Sequence, residues 1–464
     1  MHRSGRFFIA VLMLAASLAL HTEPASAQTA RQLAAQARAQ QRALQQAIRN
    51  SRVFYVNPLG SDANSGITPQ SPHKTIQKAL DTVRQPQAVI YVAPGVYPET
   101  LTFRSTNRSG TAARPMRLVG DTQGLMTGAA PGSIIISGGG VRSYGIDFQG
   151  ASNWRFEKLE FRGQAVANAW TTATRITGMT FAGCTFEVTP QWGVYFTNNG
   201  NLSLIGNTFL RTPASGHAMY IYQTQGTVLN ITENRVSMTG NDYLSTGYRQ
   251  GLVDRNSYSG SAYGIVAFVY NNTSRVTATI RNNVVSDAFL GVYFEANQPK
   301  ITLVCSNNTV VGSYHGLYVS TAANAAATIT NNITGDCYIA AHVNAPRALL
   351  SNHLAYGIGR TPCQPQTWSG CASIKVKTLR NIILDQTPEF EAPRIGDFAL
   401  VGTVGIDAAV ANGLPATDLE GTPRPIDGDG DQVAVADLGA FESPLQINRR
   451  LRVTHWSEIG TDEQ

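Results

Sequence analysis

The sequence predicts an all-β protein, a right-handed parallel β-helix (a solenoid) with a short N-terminal capping helix, and three observations carry that prediction. First, a strand phrase returns between residues 145 and 353: Gly145-Ile-Asp-Phe, Gly193-Val-Tyr-Phe, Ala218-Met-Tyr-Ile, Gly264-Ile-Val-Ala, Gly291-Val-Tyr-Phe, Gly316-Leu-Tyr-Val and Ala341-His-Val-Asn. Gly291 and Gly316 open phrases 25 residues apart, and a period of this size is one strand-and-turn unit stacked on the next. Second, an apolar residue stands three places before an Asn in step with that beat, at Asn207, Asn234, Asn283, Asn308 and Asn332, with His353 in the last such place. Asn tolerates the left-handed conformation of a tight turn, and its amide can bond to the same amide one coil above and below. Third, only 14% of residues are charged and 43 are Gly, while apolar and polar residues alternate as in half-buried strands.

In chain order, Arg3 and Arg6 precede an apolar run from Phe7 to Leu20, and Ala25-Ser-Ala27 supplies small residues for cleavage. Residues 1–27 therefore read as a signal peptide, and the run is too short to span a bilayer. A secreted, periplasmic or cell-surface location without membrane insertion is expected. Residues 28–50, rich in Ala, Gln and Arg, read as a helical linker. The formal charge of +6, or +5 without the leader, suits an acidic polysaccharide outside the cytoplasm rather than nucleic acid.

The β-helix is placed at 51–360. Ser71 as cap and Pro72 in the first turn put Ile76, Ala79, Leu80 and Val83 on one face of a short helix that closes the open solenoid end. Two gaps break the beat. The step from 145 to 193 leaves room for a degenerate copy at Ala169-Trp-Thr-Thr, and the step from 218 to 264 reads as a coil with a long insertion at 240–263. Residues 361–443 form the solenoid end and a C-terminal module, and 444–464 a tail. Of five cysteines, Cys363 and Cys371 are the best disulfide pair. Cys305 falls in the apolar column of Ile280 and Ile329, Cys184 stands where Asn207 stands one coil later, and Cys337 has no evident partner.

The runs Tyr55-Val-Asn-Pro-Leu-Gly-Ser-Asp, Thr75-Ile-Gln-Lys-Ala and Ile90-Tyr-Val-Ala-Pro-Gly-Val-Tyr resemble the opening of secreted β-helix proteins of the pectin-lyase-like superfamily, including family 9 polysaccharide lyases. Leu419-Glu-Gly-Thr-Pro-Arg-Pro-Ile-Asp-Gly-Asp-Gly-Asp and Ala436-Asp-Leu-Gly-Ala-Phe-Glu442 are similar to the module called choice-of-anchor Q, found on exported bacterial β-helix proteins. The resemblance implies the architecture over about residues 53–443, and it covers lyases, hydrolases, epimerases and non-catalytic surface proteins alike. Family 9 lyases use an Asp cluster for calcium and a Lys base. The coils here offer no Asp column, and Lys158 and Lys300 lie outside the recurring strand, so the resemblance lends its fold and not its catalytic residues.

With Val194, Phe196, Val292 and Phe294 inward, alternation sends two columns outward. One is Asp147, Thr171, Tyr195, Tyr220, Val266, Tyr293, Tyr318 and Val343; the other is Gln149, Ala173, Thr197, Tyr222, Phe268, Glu295, Ser320 and Ala345. Tyrosine rings in such a strip suit a sugar ring with one apolar face. The 240–263 segment would overhang the strip with Asp242, Tyr243, Tyr248, Arg249, Asp254 and Arg255, and His217 and His315 sit at the same edge.

β-Elimination on a uronate needs a cation for the carboxylate and a base for the adjacent proton, roles open to Arg249 or Arg255 with His217 or Tyr220. Hydrolysis would use Glu295 with a carboxylate from the loop. The expected catalytic group is thus His217, Tyr220, Arg249 and Glu295, with Tyr195, Tyr222, Asp254, Arg255, Phe268, Tyr293, His315 and Tyr318 binding substrate. The expected function is lyase action on an acidic polysaccharide; the alternative is a non-catalytic glycan-binding surface or matrix protein. Asp427, Asp429 and Asp431 alternate as in a calcium loop and suggest a structural calcium, although Gln432 replaces the usual Gly.

Overall fold

The computed structural model describes residues 27–443, apart from 105–106, 108, 172–175, 189–190, 211–216, 224–226, 238–242, 247–249, 261–262, 270–274, 299, 358–373, 385 and 394–396. The expected leader, the Cys363–Cys371 pair, Asp242, Tyr248, Arg249 and the tail lie outside the described residues. Ala27–Asn50 is a helix (α1) in a unit separate from the one that begins at Ser51.

The second unit is a parallel β-solenoid, as expected. Each coil contributes three short strands, and each strand pairs in parallel with its counterpart one coil on. One row holds the recurring phrase, for example Trp192–Asn199, His217–Gln223, Leu290–Ala296 and His315–Thr321. A second row holds Leu202–Ile205, Val228–Thr232, Val276–Arg281 and Ile301–Ser306. After a tight turn comes a third, with Thr208–Leu210, Arg235–Ser237, Ser257–Ser259 and Val284–Ser286. The core between the rows is apolar: Phe148, Phe156, Phe181, Phe186 and Phe196 are fully buried and pack ring against ring within and between coils. The Gly of the phrase marks close approach, since a Cβ on Gly291 would lie 2.5 Å from the carbonyl oxygen of Gly316.

At the N-terminal end, Ile76–Thr82 is a helix (α2) that buries Ile76, Ala79 and Leu80, with Val83 buried just beyond. Its cap is Thr75, whose hydroxyl accepts from the Lys78 amide, rather than Ser71. Glu99 accepts from the Ile76 and Gln77 amides and satisfies two further free donors of the first turn.

The turns between the second and third rows carry the predicted asparagine ladder. The side-chain amides of Asn207, Asn234, Asn256, Asn283 and Asn308 each donate to the carboxamide oxygen one coil on, all at 2.9 Å, ending on Asn332. Each receiving oxygen also accepts the backbone amide of the donating Asn. Cys184 opens the ladder by donating its backbone amide to Asn207. All six asparagines are buried.

The residue before the ladder position has positive φ: Gly206, Glu233 and Arg255 in the earlier coils, then Asn282, Asn307, Asn331 and Asn352. Those four later asparagines hold the C-terminal segment. Asn282 donates to the carbonyl of Thr417, Asn307 to Asp437, Asn331 to Val410 and Asn352 to Ala408. The two asparagines of an Asn-Asn pair therefore divide their work, one inward to the ladder and one outward to the module.

The module is organised around Arg424 and Glu442, both side chains 0% exposed. Arg424 donates to the carbonyls of Asp437 and Gly439, and Glu442 accepts from the amides of Ile426 and Asp437. Burial raises Asp437 to about 6 and Glu442 to about 7 and lowers Arg424.

Candidate functional site

The outward strip exists, with its register corrected. Strand pairing sets Trp170 opposite Asp147 and Tyr195, so Trp170 takes the place expected for Thr171, which is buried opposite Phe148. At the far end His342 lies opposite Tyr318, while Val343 and Ala345 are buried and Asn344 continues the second column. Val266 is also buried. Residues 240–263 are not an overhanging insertion. They supply a further coil, with Tyr243–Thr246, Gln250–Asp254 and Ser257–Ser259 in the three rows, and the backbone of Tyr243 pairs opposite Tyr220.

The rings form two runs. Tyr144, Trp170, Tyr195 and Tyr220 stack with centroids 5.1, 4.2 and 5.0 Å apart. Tyr293, Tyr318 and His342 stack at 4.2 and 4.5 Å, nearly parallel. This geometry changes what the strip can do. Each inner ring has both faces covered by its neighbours, so a ligand meets ring edges and phenol hydroxyls rather than the apolar faces that sugar stacking would need.

The second run carries the greater chemical variety. Tyr293 donates its hydroxyl to Glu295, and burial, followed by this bond and the Glu295 charge, pushes its ionisation up, so it keeps its proton. His315 packs edge-on to Tyr318 at 6.2 Å. Burial lowers the pKa of His315 and of His342, and the neighbouring His342 lowers that of His315 further. Both are therefore neutral at neutral pH. His217, stacked on Trp192 at 4.5 Å, is lowered by burial as well. Beyond Asn344 the second column continues into Lys375, exposed like Lys377 on the last solenoid strand, Ile374–Leu384. Sequence reasoning missed Trp170, His342 and Lys375.

The described members of the expected catalytic group, His217, Tyr220 and Glu295, do not converge. Tyr222, Ser245, Phe268 and Glu295 are successive members of one column. Glu295 therefore sits three rungs from the His217 and Tyr220 strand, roughly 14 Å at about 4.8 Å per rung. Asp254 and Arg255 lie elsewhere, at the end of the second row and in the ladder turn. Asp254 is buried and pairs with Arg281, with Asn282 also donating to it, and Arg255 pairs with Glu233. Phe268 meets Tyr293 at a tilted 5.4 Å, on the strip as expected.

The metal-capable group also shifts. Asp407, Asp427 and Asp429 can bring one carboxylate oxygen each within 4.8 Å of one another, a set that could hold a metal ion. Asp407 comes from outside the Asp-Gly-Asp-Gly-Asp run and accepts the amides of Gly428 and Asp429. Asp431 instead accepts from the amide of Val433.

Residues 200–356 match the family model described as NosD, a periplasmic copper-binding protein. Among solved structures the chain is similar to pectate lyase Pel9A at 14% identity, covering 85% of this chain and 96% of that one with a TM-score of 0.46. It is also similar to a rhamnogalacturonan lyase (13% identity, 82% and 97% covered, TM-score 0.40). A further similarity is to GH136 lacto-N-biosidase from Eubacterium ramulus (13%, 77% and 72%, TM-score 0.39). No curated protein matches the sequence. Copper favours thiolate, thioether and imidazole donors. The three described cysteines are separately buried, with Cys184, Cys305 and Cys337 all pushed up to about 12, and the clustered metal-capable group among the described residues is hard carboxylate. No three imidazole or thiolate donors cluster among the described residues.

Proposed function

We propose that this chain is an exported carbohydrate-binding β-helix protein that holds an acidic polysaccharide along its tyrosine and histidine edge. The observation that carries this reading is the Tyr293–Tyr318–His342 stack leading toward exposed Lys375. Phenol and imidazole groups repeat at rung spacing and offer hydrogen bonds to sugar hydroxyls, while Lys375 and Lys377 attract carboxylates. Immobilised pectate, alginate and glycosaminoglycan are the test. Saturable retention of the protein, weakened by salt and by Lys375→Gln, supports the reading; no retention on any of the three refutes it.

Lyase action is a second reading, favoured by the two neutral imidazoles beside Tyr318. His315 would take the proton next to the uronate carboxylate, and the Tyr318 hydroxyl would protonate the departing glycosidic oxygen. The cation for the carboxylate is its weak point. Lys375 lies roughly 10 Å from Tyr318 by rung and strand spacing. Ultraviolet absorbance of an unsaturated uronate in the same incubations separates the readings. We also propose that Asp407, Asp427 and Asp429 hold a structural calcium, a hard cation that suits oxygen ligands.

A further inference from the structure

The formal charge of this chain is confined to its N-terminal part. Residues 53–464 carry 29 basic and 29 acidic side chains and sum to zero. Of the net +6, Arg3, Arg6 and Glu23 give +1, and Arg31, Arg38, Arg42, Arg49 and Arg52 give the other +5. Residues 24–61 hold no Asp or Glu at all.

Helix α1 sorts four of these arginines onto one side. Arg38 and Arg42 are four residues apart, with Arg31 seven residues before the first and Arg49 seven after the second. At about 100° per residue the four positions fall within about 40° of one another, along roughly 27 Å of helix. Arg38, Arg42 and Arg49 are exposed. Arg49 has a further interaction within the protein, whereas neither Arg38 nor Arg42 has an ion-pair partner among the described residues. Arg38 and Arg42 are therefore the two charges open to a partner.

Two kinds of anionic surface could meet such a stripe, a bilayer and a linear polymer. A bilayer needs a broad apolar face on the helix as well. Leu33, Ala37, Leu44 and Ile48 fall on a stripe centred about 130° from the arginines. Only three of those four are large, and the helix contains no aromatic residue, too little to seat it among lipid headgroups. A linear polyanion needs only guanidinium forks in a row, which pair with carboxylates.

We propose that α1 is a docking helix for an acidic polysaccharide, with Arg38 and Arg42 pairing with uronate carboxylates. Its ligand class rests on the reading above, but the residues that carry it are separate from the strip.

Retention of the full chain on immobilised pectate across a salt series tests it. Arg38→Gln/Arg42→Gln should weaken retention by about tenfold and flatten its salt dependence. Gln40→Arg/Arg42→Gln keeps the net charge but sets the moved arginine about 160° from Arg38, and should weaken retention by about threefold. Gln has nearly the helix propensity of Arg, so circular dichroism should show unchanged helix content and melting in both. Full affinity in either variant, or no retention of the wild type, would overturn the proposal. Tighter retention on phosphatidylglycerol vesicles, lost in Arg38→Gln/Arg42→Gln, would assign the helix to a membrane and overturn it too. Tyr318→Phe/Lys375→Gln in the same assay separates this site from the strip. Full affinity there with loss in the helix variants refutes the strip and supports the helix; the reverse pattern overturns the helix and leaves the strip.

Discussion

Two ladders run along this solenoid, and they place similar repeats in opposite settings. The asparagine ladder at the turn is dry, with each side-chain amide donating to the next coil and accepting from the one before. The tyrosine and histidine ladder on the first row is half wet, with ring faces stacked and polar edges turned outward. Stacking one residue per coil at rung spacing stabilises both. Only the wet ladder retains hydrogen-bonding capacity for a partner, so stability and recognition are assigned to different edges of the same coil.

Breaking the dry ladder should have the largest effect. Asn283→Ala leaves the backbone amide of Asn256 without its acceptor in a buried turn and removes the Asn256–Asn283 and Asn283–Asn308 side-chain bonds. The orphaned donor costs about 1–3 kcal/mol and each lost bond about 1 kcal/mol, so a loss of about 3 kcal/mol is expected in urea unfolding. A loss below about 1 kcal/mol would show that the ladder is redundant.

The outward partner of such a pair sharpens the contrast. Asn307→Ala removes a bond to the carbonyl of Asp437 and places Ala at φ +53°, so it should cost about 2 kcal/mol. It should also speed proteolytic release of the C-terminal segment, whereas Asn308→Ala should destabilise the solenoid itself.

The module adds a dependence on pH. Glu442 and Asp437 have folded pKa values raised to about 7 and about 6, above their ordinary range. Stability from groups of this kind is fully present below the unfolded values and is lost as pH rises through the folded ones. Wild type should therefore lose stability relative to Glu442→Gln between about pH 5 and about pH 8 in parallel melts. A constant difference across that window would contradict the assignment.

The wet ladder should respond in binding rather than in stability. Tyr318→Phe keeps the stack and removes one hydroxyl, so polyuronate affinity should fall by about three- to tenfold with melting unchanged. His217, His315 and His342 have lowered pKa values, so they gain charge only below the usual imidazole range. Polyuronate binding should strengthen as pH falls through that lower range, which a pH series of the same titration would show.

The dry ladder was legible in the sequence because Asn in a left-handed turn repeats visibly with an apolar residue three places before it. Asn256 escaped notice because its coil was read as an insertion. The strip was legible except where the small-residue slot was ambiguous. Asn168 occupies the position of Gly145, and Ala340 that of Gly316, so counting from Ala169 and Ala341 displaced Trp170 and His342 by one place. Alternation then reversed their faces. The Asp407 ligand was invisible because it depends on contacts between distant positions, such as Asn307 with Asp437, that no local period encodes.

The central claim is that the tyrosine and histidine edge is the recognition surface. Histidine ring resonances followed by NMR during titration with a galacturonate oligomer test it most directly. His315 and His342 should shift together and saturate, while His353, buried at the end of the dry ladder with its pKa lowered to about 4, should stay still. Saturable binding that leaves His315 and His342 unmoved, or no binding at all, would contradict the account.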